Sequence, residues 1–479
     1  MPIRGDDSLR SDDHRTRRRC WPGAAPCCVR KGDRISRSTF CSFGGSRQDI
    51  ANRSKSVIDM GKLVVLMITA FVDMVGLLMI IPLLPFYAKH LGANGLMVGL
   101  LFSSFAVAQL ITAPVWGRFS DRYGRRPALL VGLTASAIAY VVFAFANALW
   151  LLFLSRLVQG AGGGTVSVIQ AYVADALKPE DRAKGLGWLS AATNAGVALG
   201  PALGPFATHW GRSGPGLAAA ALCVINIAFA WHFLSESRDM VEAKASGRIR
   251  PRSRDAVVHV LTHSSEPASR LIWIYAIAMG AFQGVNAILA LFLAARFGVT
   301  EKTVWVFFTY IASISVLTRA AILGWAVDRF GEARLSRFGS TLLAIGLAAL
   351  AFMYPLRDPA TVAHTLRLSV SFVAVLPYVP LALAVALLPL GTAFTFPCVT
   401  ALLSRVIPSS ERGLYMGVQQ TFGGSARVVF PILAGIAFDR FVELPFLVSA
   451  ALVAGTIYLG LGMEHAIHPK TTAEAAPAA

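Results

Sequence analysis

Two ionisable residues inside otherwise apolar stretches define the chemistry open to this chain. Asp73 lies in the segment 62–86, and Arg156 lies in the run Leu154-Ser-Arg156-Leu-Val-Gln159-Gly160. At ~1.5 Å per helical residue, Asp73 falls near the middle of a bilayer. An ionised carboxylate is costly there and needs either a cation or a proton. Burial disfavours the charged form of a carboxyl and a neighbouring cation favours it, so a carboxyl in alternating surroundings can load and release a proton. Arg156 stays charged throughout; as the expected partner of Asp73 it can tune the carboxyl without carrying the proton. The competing reading is a permanent salt bridge that only ties two helices together. Neither reading requires a metal or an organic cofactor, and none is expected. Cys20, Cys27, Cys28 and Cys41 lie in a polar N-terminal stretch, Cys223 and Cys398 sit alone in apolar segments, and no Cys/His group has zinc spacing.

The elements that position these residues must cross lipid. Apolar residues make up 55% of the 479 and charged residues only 15%, against roughly 25% charged in soluble chains. Mean hydropathy is +0.59. Apolar runs of about 20 residues, long enough for ~30 Å of hydrocarbon, recur at 62–86, 95–116, 127–147, 149–174, 185–207, 216–235, 271–295, 303–323, 337–355, 379–404, 412–438 and 444–463. Without water to satisfy the backbone, each must be a helix. The predicted fold is therefore an all-α integral membrane protein with twelve transmembrane helices. The net charge of +18 would point to nucleic acid in a soluble chain; here its placement fixes orientation instead. Alternate connections (117–126, 175–184, 236–270, 324–337, 405–412) hold 19 Lys/Arg, against seven on the other side, so both termini are expected in the cytoplasm. Residues 1–59 carry 13 Lys/Arg and 7 Asp with no apolar periodicity. They read as a disordered basic tail, and Met60 just before the first helix marks an alternative start. Residues 60–235 and 271–463 form two six-helix halves, joined by a linker at 236–270 and followed by a tail at 464–479. The linker carries Arg248, Arg250, Arg252 and Arg254 and is expected against anionic lipid rather than nucleic acid.

The halves repeat one another. Gly117, Asp121, Arg122 and Gly124 recur as Gly324, Asp328, Arg329 and Gly331 at an offset of 207, and Arg182, Gly187 and Pro201 recur as Arg412, Gly417 and Pro431 at an offset of 230. An insertion at 356–378 accounts for the difference. Parallel six-helix repeats place a substrate site at their interface. In the loop after the second helix, glycines permit tight turns and Asp121 suits a helix N-terminus. Arg122, Arg125 and Arg126 can pair with carboxylates such as Asp175, forming a cytoplasmic gate that breaks when the halves rock; a solvated basic loop is the plainer alternative. Gly196, Gly200 and Gly204 share one helix face and allow close helix approach, while Pro201 and Pro205 loosen the helix.

These residues also carry a family resemblance. The segment Gly117-Arg-Phe-Ser-Asp-Arg-Tyr-Gly-Arg-Arg-Pro127 resembles the major facilitator signature between helices two and three. Gly187, Gly196, Gly200, Pro201 and Gly204 are similar to the fifth-helix antiporter motif of drug:proton exporters, with Pro205 replacing the last glycine of that motif. Asp73 followed by Pro82-Leu-Leu-Pro85 resembles tetracycline-type antiporters, and the stretch around Arg156 is similar to a fourth-helix arginine motif associated with proton transfer. The resemblance covers about 62–463. It implies proton-coupled efflux of drug-like small molecules across the plasma (inner) membrane, with exchange rather than symport. Where tetracycline exporters carry further carboxylates, this chain has Ala139 and Leu343, so a lipophilic neutral or monocationic substrate is expected.

Gln109, Gln159, Gln283, Asn286, Gln419 and Gln420 are candidates to line the substrate cavity, with interhelical hydrogen bonds as the plainer account. Arg319 is expected to snorkel towards a helix end, and Arg427 to pack. The sequence has no phosphate-binding loop; the glycine run 160–164 falls inside a membrane helix. Proton-coupled uptake of a sugar or organic acid is the alternative transport reading. An integral membrane enzyme would need a nucleophile, base or metal cluster that Asp73 lacks nearby. A non-transporting sensor would show a degraded first gate motif. The expected partners are the substrate, protons and lipid, with no nucleic acid, and a monomer suffices for alternating access.

Overall fold

Proline and consecutive glycine weaken the backbone pairing a helix needs; the apolar segments break at Pro82 and at Gly163-Gly164, while Pro114, Pro389, Pro397 and Pro431 lie inside continuous helices. The computed structural model describes residues 47–177, 181–234, 253–354, 378–408 and 410–461. The chain forms two compact units, 1–53 and 54–479, and the apolar segments all belong to the second. The first segment is α1 (Arg47–Ile80), then a turn at Pro82, then α2 (Leu84–His90). Helix α1 is already helical at Arg47, inside the stretch expected to lack order. Next come α3 (Gly95–Tyr123) and α4 (Arg125–Ala144). The segment expected as one helix at 149–174 is two, α5 (Leu149–Gly162) and α6 (Thr165–Ala176). Gly163 and Gly164 cap the break between them. Helices α7 (Arg182–Thr208) and α8 (Gly214–Phe233) complete the first half.

The second half opens with α9 (Ser253–Thr262) inside the expected linker. It does not lie on lipid alone: Ala256 and Val260 are buried in a cluster with Leu271, Ile272, Val399 and Leu402. Then come α10 (Pro267–Phe297), α11 (Val304–Leu317), a π-helical turn (Thr318–Ile322), α12 (Leu323–Phe330) and α13 (Glu332–Ala351). The last helices are α14 (Tyr378–Val406), α15 (Arg412–Arg440) and α16 (Leu444–Leu459). The insertion 356–377, the arginines Arg248, Arg250 and Arg252, and the tails 1–46 and 462–479 lie outside the described residues.

All twelve expected segments are thus occupied by a helix or by helices in line, and the described residues contain no strand. Eight spans are long and apolar enough to cross a membrane by length and composition. The broken α5 and α6, the Gly- and Ala-rich α7, α13 with its charged first turns and the 16-residue α16 account for the remaining four. The protein is an integral, multi-pass membrane protein.

The halves meet through α3 against α15. The backbone N–H groups of Gly95 and Leu96 donate to the Asp439 carboxylate at 2.7 and 2.8 Å. One turn deeper, a Cβ on Gly99 would stand 2.2 Å from the Pro431 carbonyl oxygen. Deeper still, Ser103 Oγ donates to the Val428 carbonyl at 2.6 Å. These contacts cluster at the face away from the basic loops. Towards the basic loops, a Cβ on Gly117, Gly187, Gly413 or Gly417 would meet no atom within 4 Å.

Candidate functional site

The acidic residue inside the membrane region is held by bare helix surfaces. Glycines of α7 lie directly against α1. A Cβ on Gly196 would stand 2.5 Å from the Phe71 carbonyl oxygen, one on Gly200 2.7 Å from Leu78 Cβ, and one on Gly204 3.0 Å from the Met79 carbonyl oxygen. No residue larger than glycine fits this contact without moving the backbone. It sets the close spacing between α7 and the stretch of α1 that carries Asp73. On the other side, the glycine run after Arg156 lets three helices converge. Gly162 abuts Ala135, Gly163 abuts Gln109, and Gly164 abuts Trp116. Because the helix breaks there, Thr165 begins α6 facing α1, and its Oγ1 donates to Asp73 Oδ2 at 3.0 Å.

Asp73 is 5% exposed and Arg156 1% exposed, yet no ion pair joins them. The Arg156 guanidinium stands 5.9 Å from the Phe143 ring centroid, and its Nε and Nη2 have no hydrogen-bond partner. Tyr140, also buried, is close to both charges and to Gln159. The expected partnership of Asp73 and Arg156 is therefore absent from this conformation. Thr165 and Tyr140, which sequence reasoning misses, are the neighbours found instead. Thr165 follows the glycine break, which is a readable signal; Tyr140 sits in an ordinary apolar pattern and has none.

The gate residues of the first half gather around Arg125. Gly124 has φ +101 between α3 and α4, a backbone state that glycine alone adopts at low cost. It turns Arg125 inward, where Nε donates to Asp175 Oδ2 at 2.9 Å and Nη1 to Ser120 Oγ at 2.8 Å and Asp121 Oδ1 at 3.1 Å. Arg126 donates to the Trp231 carbonyl at 2.5 Å, and Arg122 lies 5.5 Å from the Tyr123 ring centroid. All of these named partners belong to the first half. In the second half Gly331 repeats the turn with φ +76. Glu332 pairs with Arg405, while Asp328 and Arg329 are exposed.

Gln109, Gln283 and Asn286 line a chamber of about 220 Å³ with Phe102, Phe105 and Arg427. A second chamber of about 280 Å³ shares Leu78, Ile81, Gln283 and Asn286 with the first and adds Arg319, Phe282, Phe308 and Phe396. Gln159 lies instead in the buried cluster beside Tyr140. Gln419 is buried and donates to Thr400 Oγ1 at 3.3 Å, and Gln420 is exposed. Arg319 and Arg427, expected to snorkel and to pack, both line the chambers. Arg319 sits on the π turn, which shifts the phase of the helix and has no sequence signature. Asp73 lies one turn along α1 from Leu77 and Leu78, which face this space.

A family model for the Major Facilitator Superfamily matches residues 66–366. The chain belongs to that superfamily. It is 27% identical over 405 residues to "Multidrug resistance protein 2" of Bacillus subtilis (strain 168), covering 84% of this chain and 93% of the relative. It is 32% identical over 300 residues to "Tetracycline resistance protein, class C" of Escherichia coli, covering 60% and 73%. Among solved structures, the nucleoside transporter NupG matches with a TM-score of 0.65 at 14% identity, covering 84% of this chain and 98% of that one. The human organic anion transporter MFSD10 (TETRAN) matches with a TM-score of 0.60 at 21% identity, covering 84% and 99%. As a superfamily member the chain is a membrane transporter with a small-molecule substrate, and the solved structures share its fold.

Proposed function

We propose that this transporter exports lipophilic, drug-like small molecules from the cytoplasm in exchange for protons, by alternating access. The drug-resistance proteins among its relatives support the direction of transport and the class of substrate. The excess of Lys and Arg on one set of loops supports a cytoplasmic position for that face and for both termini in the plasma membrane. With the contacts of α3 and α15 gathered at the opposite face, this conformation corresponds to the inward-facing state. One chain supplies both halves and the space between them, so a monomer is sufficient.

The observation that carries proton coupling is the setting of Asp73. A buried carboxyl with a hydroxyl donor and no ion pair is the environment of a protonated group, and a buried arginine with unsatisfied N–H groups is one waiting for an anion. Rearrangement that brings Asp73 towards Arg156 would favour the carboxylate and release the proton. The Gly196, Gly200 and Gly204 contact couples that change to α1, whose next turn faces the chambers.

The test is drug-evoked proton movement in proteoliposomes under an imposed pH gradient, recorded as lumenal pH for wild type and Asp73→Asn. Wild type is expected to respond to lipophilic drugs, and the variant to fall to the protein-free background. Full coupling in Asp73→Asn would overturn the assignment.

A further inference from the structure

We infer that the chambers between the halves are an organic-anion site, in which Arg319 and Arg427 receive the carboxylate or related acidic group of an otherwise lipophilic substrate. The inference rests on the transport reading above and names the class of its substrate. It departs from the neutral or monocationic expectation for a physical reason. Arg319 and Arg427 each line one of two chambers that share a wall of Leu78, Ile81, Gln283 and Asn286. Among the described residues neither guanidinium has a hydrogen-bond acceptor, and the Nε of each is buried without a partner. Among the described residues, no Asp or Glu lines either chamber. Two permanent cations therefore face adjoining chambers whose described lining supplies no counter-charge, an arrangement suited to receiving an anion.

The surroundings say what kind of anion. A guanidinium presents a planar fork of donors that matches a carboxylate in two parallel hydrogen bonds, and Gln283 and Asn286 can donate beside it. The rest of the wall is aromatic, with Phe102 and Phe105 in one chamber and Phe282, Phe308 and Phe396 in the other. Such a wall fits a flat apolar body carrying one acidic group. Chambers of about 220 and 280 Å³ have the dimensions of a small drug-sized ligand site. The π turn adds an independent sign. Turns of this kind are rare and concentrate at functional sites, and this one, Thr318–Ile322, carries Arg319.

Three isosteric probes separate the alternatives: 1-naphthoate, its neutral amide, and 1-naphthylmethylammonium. Binding is read as ligand-induced thermal stabilisation and by calorimetry on the purified full chain, with no gradient present. Naphthoate is expected to bind more tightly than both analogues. Arg319→Gln and Arg427→Gln should each weaken it about tenfold or more, the size of a lost hydrogen bond to a charged group, and leave the amide unchanged. Arg319→Lys and Arg427→Lys keep the charge but lose the fork; they serve if the Gln variants do not fold, and a smaller loss is expected from them. Tighter binding of the ammonium or the amide, or naphthoate binding unaffected by all four variants, would overturn the inference. Phosphatidylglycerol titrated against bound naphthoate distinguishes the sources of such an anion: displacement assigns the site to a lipid headgroup, and its absence to a free solute. If drugs evoke proton movement that depends on Asp73 while naphthoate never binds, the export reading stands and the anion site falls. If naphthoate binds through the arginines and no compound moves protons, the reverse holds.

Discussion

At an offset of 207 residues, Asp73 and Tyr140 of the first half correspond to Gly280 and Leu347 of the second; at 230 residues, Arg156 corresponds to Ala386. Thr165 keeps a counterpart in Thr395, but that hydroxyl faces Ser340 at 3.5 Å instead of a carboxylate. The second half holds Arg319 and Arg427 at the chambers. One backbone plan thus carries a buried acid in one half and cavity-lining bases in the other. The halves also solve their shared packing problems with the residues exchanged. Gly200 on α7 receives Leu78 of α1, whereas its counterpart Phe430 on α15 fills the space left by Gly280 and Gly284 on α10. Arg125 pairs with Asp175, and at the corresponding positions Glu332 pairs with Arg405, the same contact with its charges reversed. The repeat preserves complementary sizes and charges across each contact rather than the residues themselves.

The largest effect expected from breaking this comparison comes from making the halves identical. Gly200→Phe places a ring where even a Cβ would stand 2.7 Å from Leu78 Cβ and 2.9 Å from the Val75 carbonyl oxygen, so no monodisperse protein should be recovered by size exclusion. Folded, transporting Gly200→Phe would show that α1 and α7 are not in close contact. A middle-sized effect is expected from reversing one ion pair. Arg125→Glu alone should cost about 2 kcal/mol, as hydrogen bonds to a charged group are lost, read as a lowered Tm in detergent. Adding Asp175→Arg should recover only part of this, because Arg125 also serves Ser120 and Asp121. A double-mutant cycle with no coupling between the two positions would remove the charge-reversal argument.

The smallest effect is expected at the join of the halves. Asp439→Asn weakens a carboxylate held at the N-terminus of α3 by about 1 kcal/mol, which shifts the balance towards the outward-facing state about fivefold. Spin-label distances between the outer ends of α3 and α15 should report a larger open population. An unchanged distance distribution would mean that the Gly99 contact with Pro431 suffices to hold that face shut.

Much of the architecture is written in apolar run length, since a segment that crosses lipid has little choice but to be a helix. Run length is blind to the breaks within segments. Pro82, Gly163 and Gly164 are visible residues, but whether they bend or end a helix depends on what packs there. For Gly163 the answer is Gln109, and for Gly164 it is Trp116. The residues of the buried cluster are legible where an ionisable group interrupts apolar sequence, as at Asp73 and Arg156. Their separation is not, because a hydroxyl donor such as Thr165 looks like any other small polar residue until the fold brings it across. For Arg319 and Arg427 the sequence offers only a distance to helix ends, which says nothing of the direction in which a side chain points; the π turn decides that for Arg319.

The contact between α1 and α7 has a mechanical side as well. Helices that interlock through side chains must lift knobs out of holes before they can shift. Here the glycine face of α7 offers α1 little more than backbone to rest on. Such a seam resists separation, because the surfaces are close, but presents few steps to motion along its length. In the proposed cycle, a change of charge at Asp73 would act on a helix able to shift along this seam, and a small electrostatic bias on one turn would reach the turn that borders the chambers.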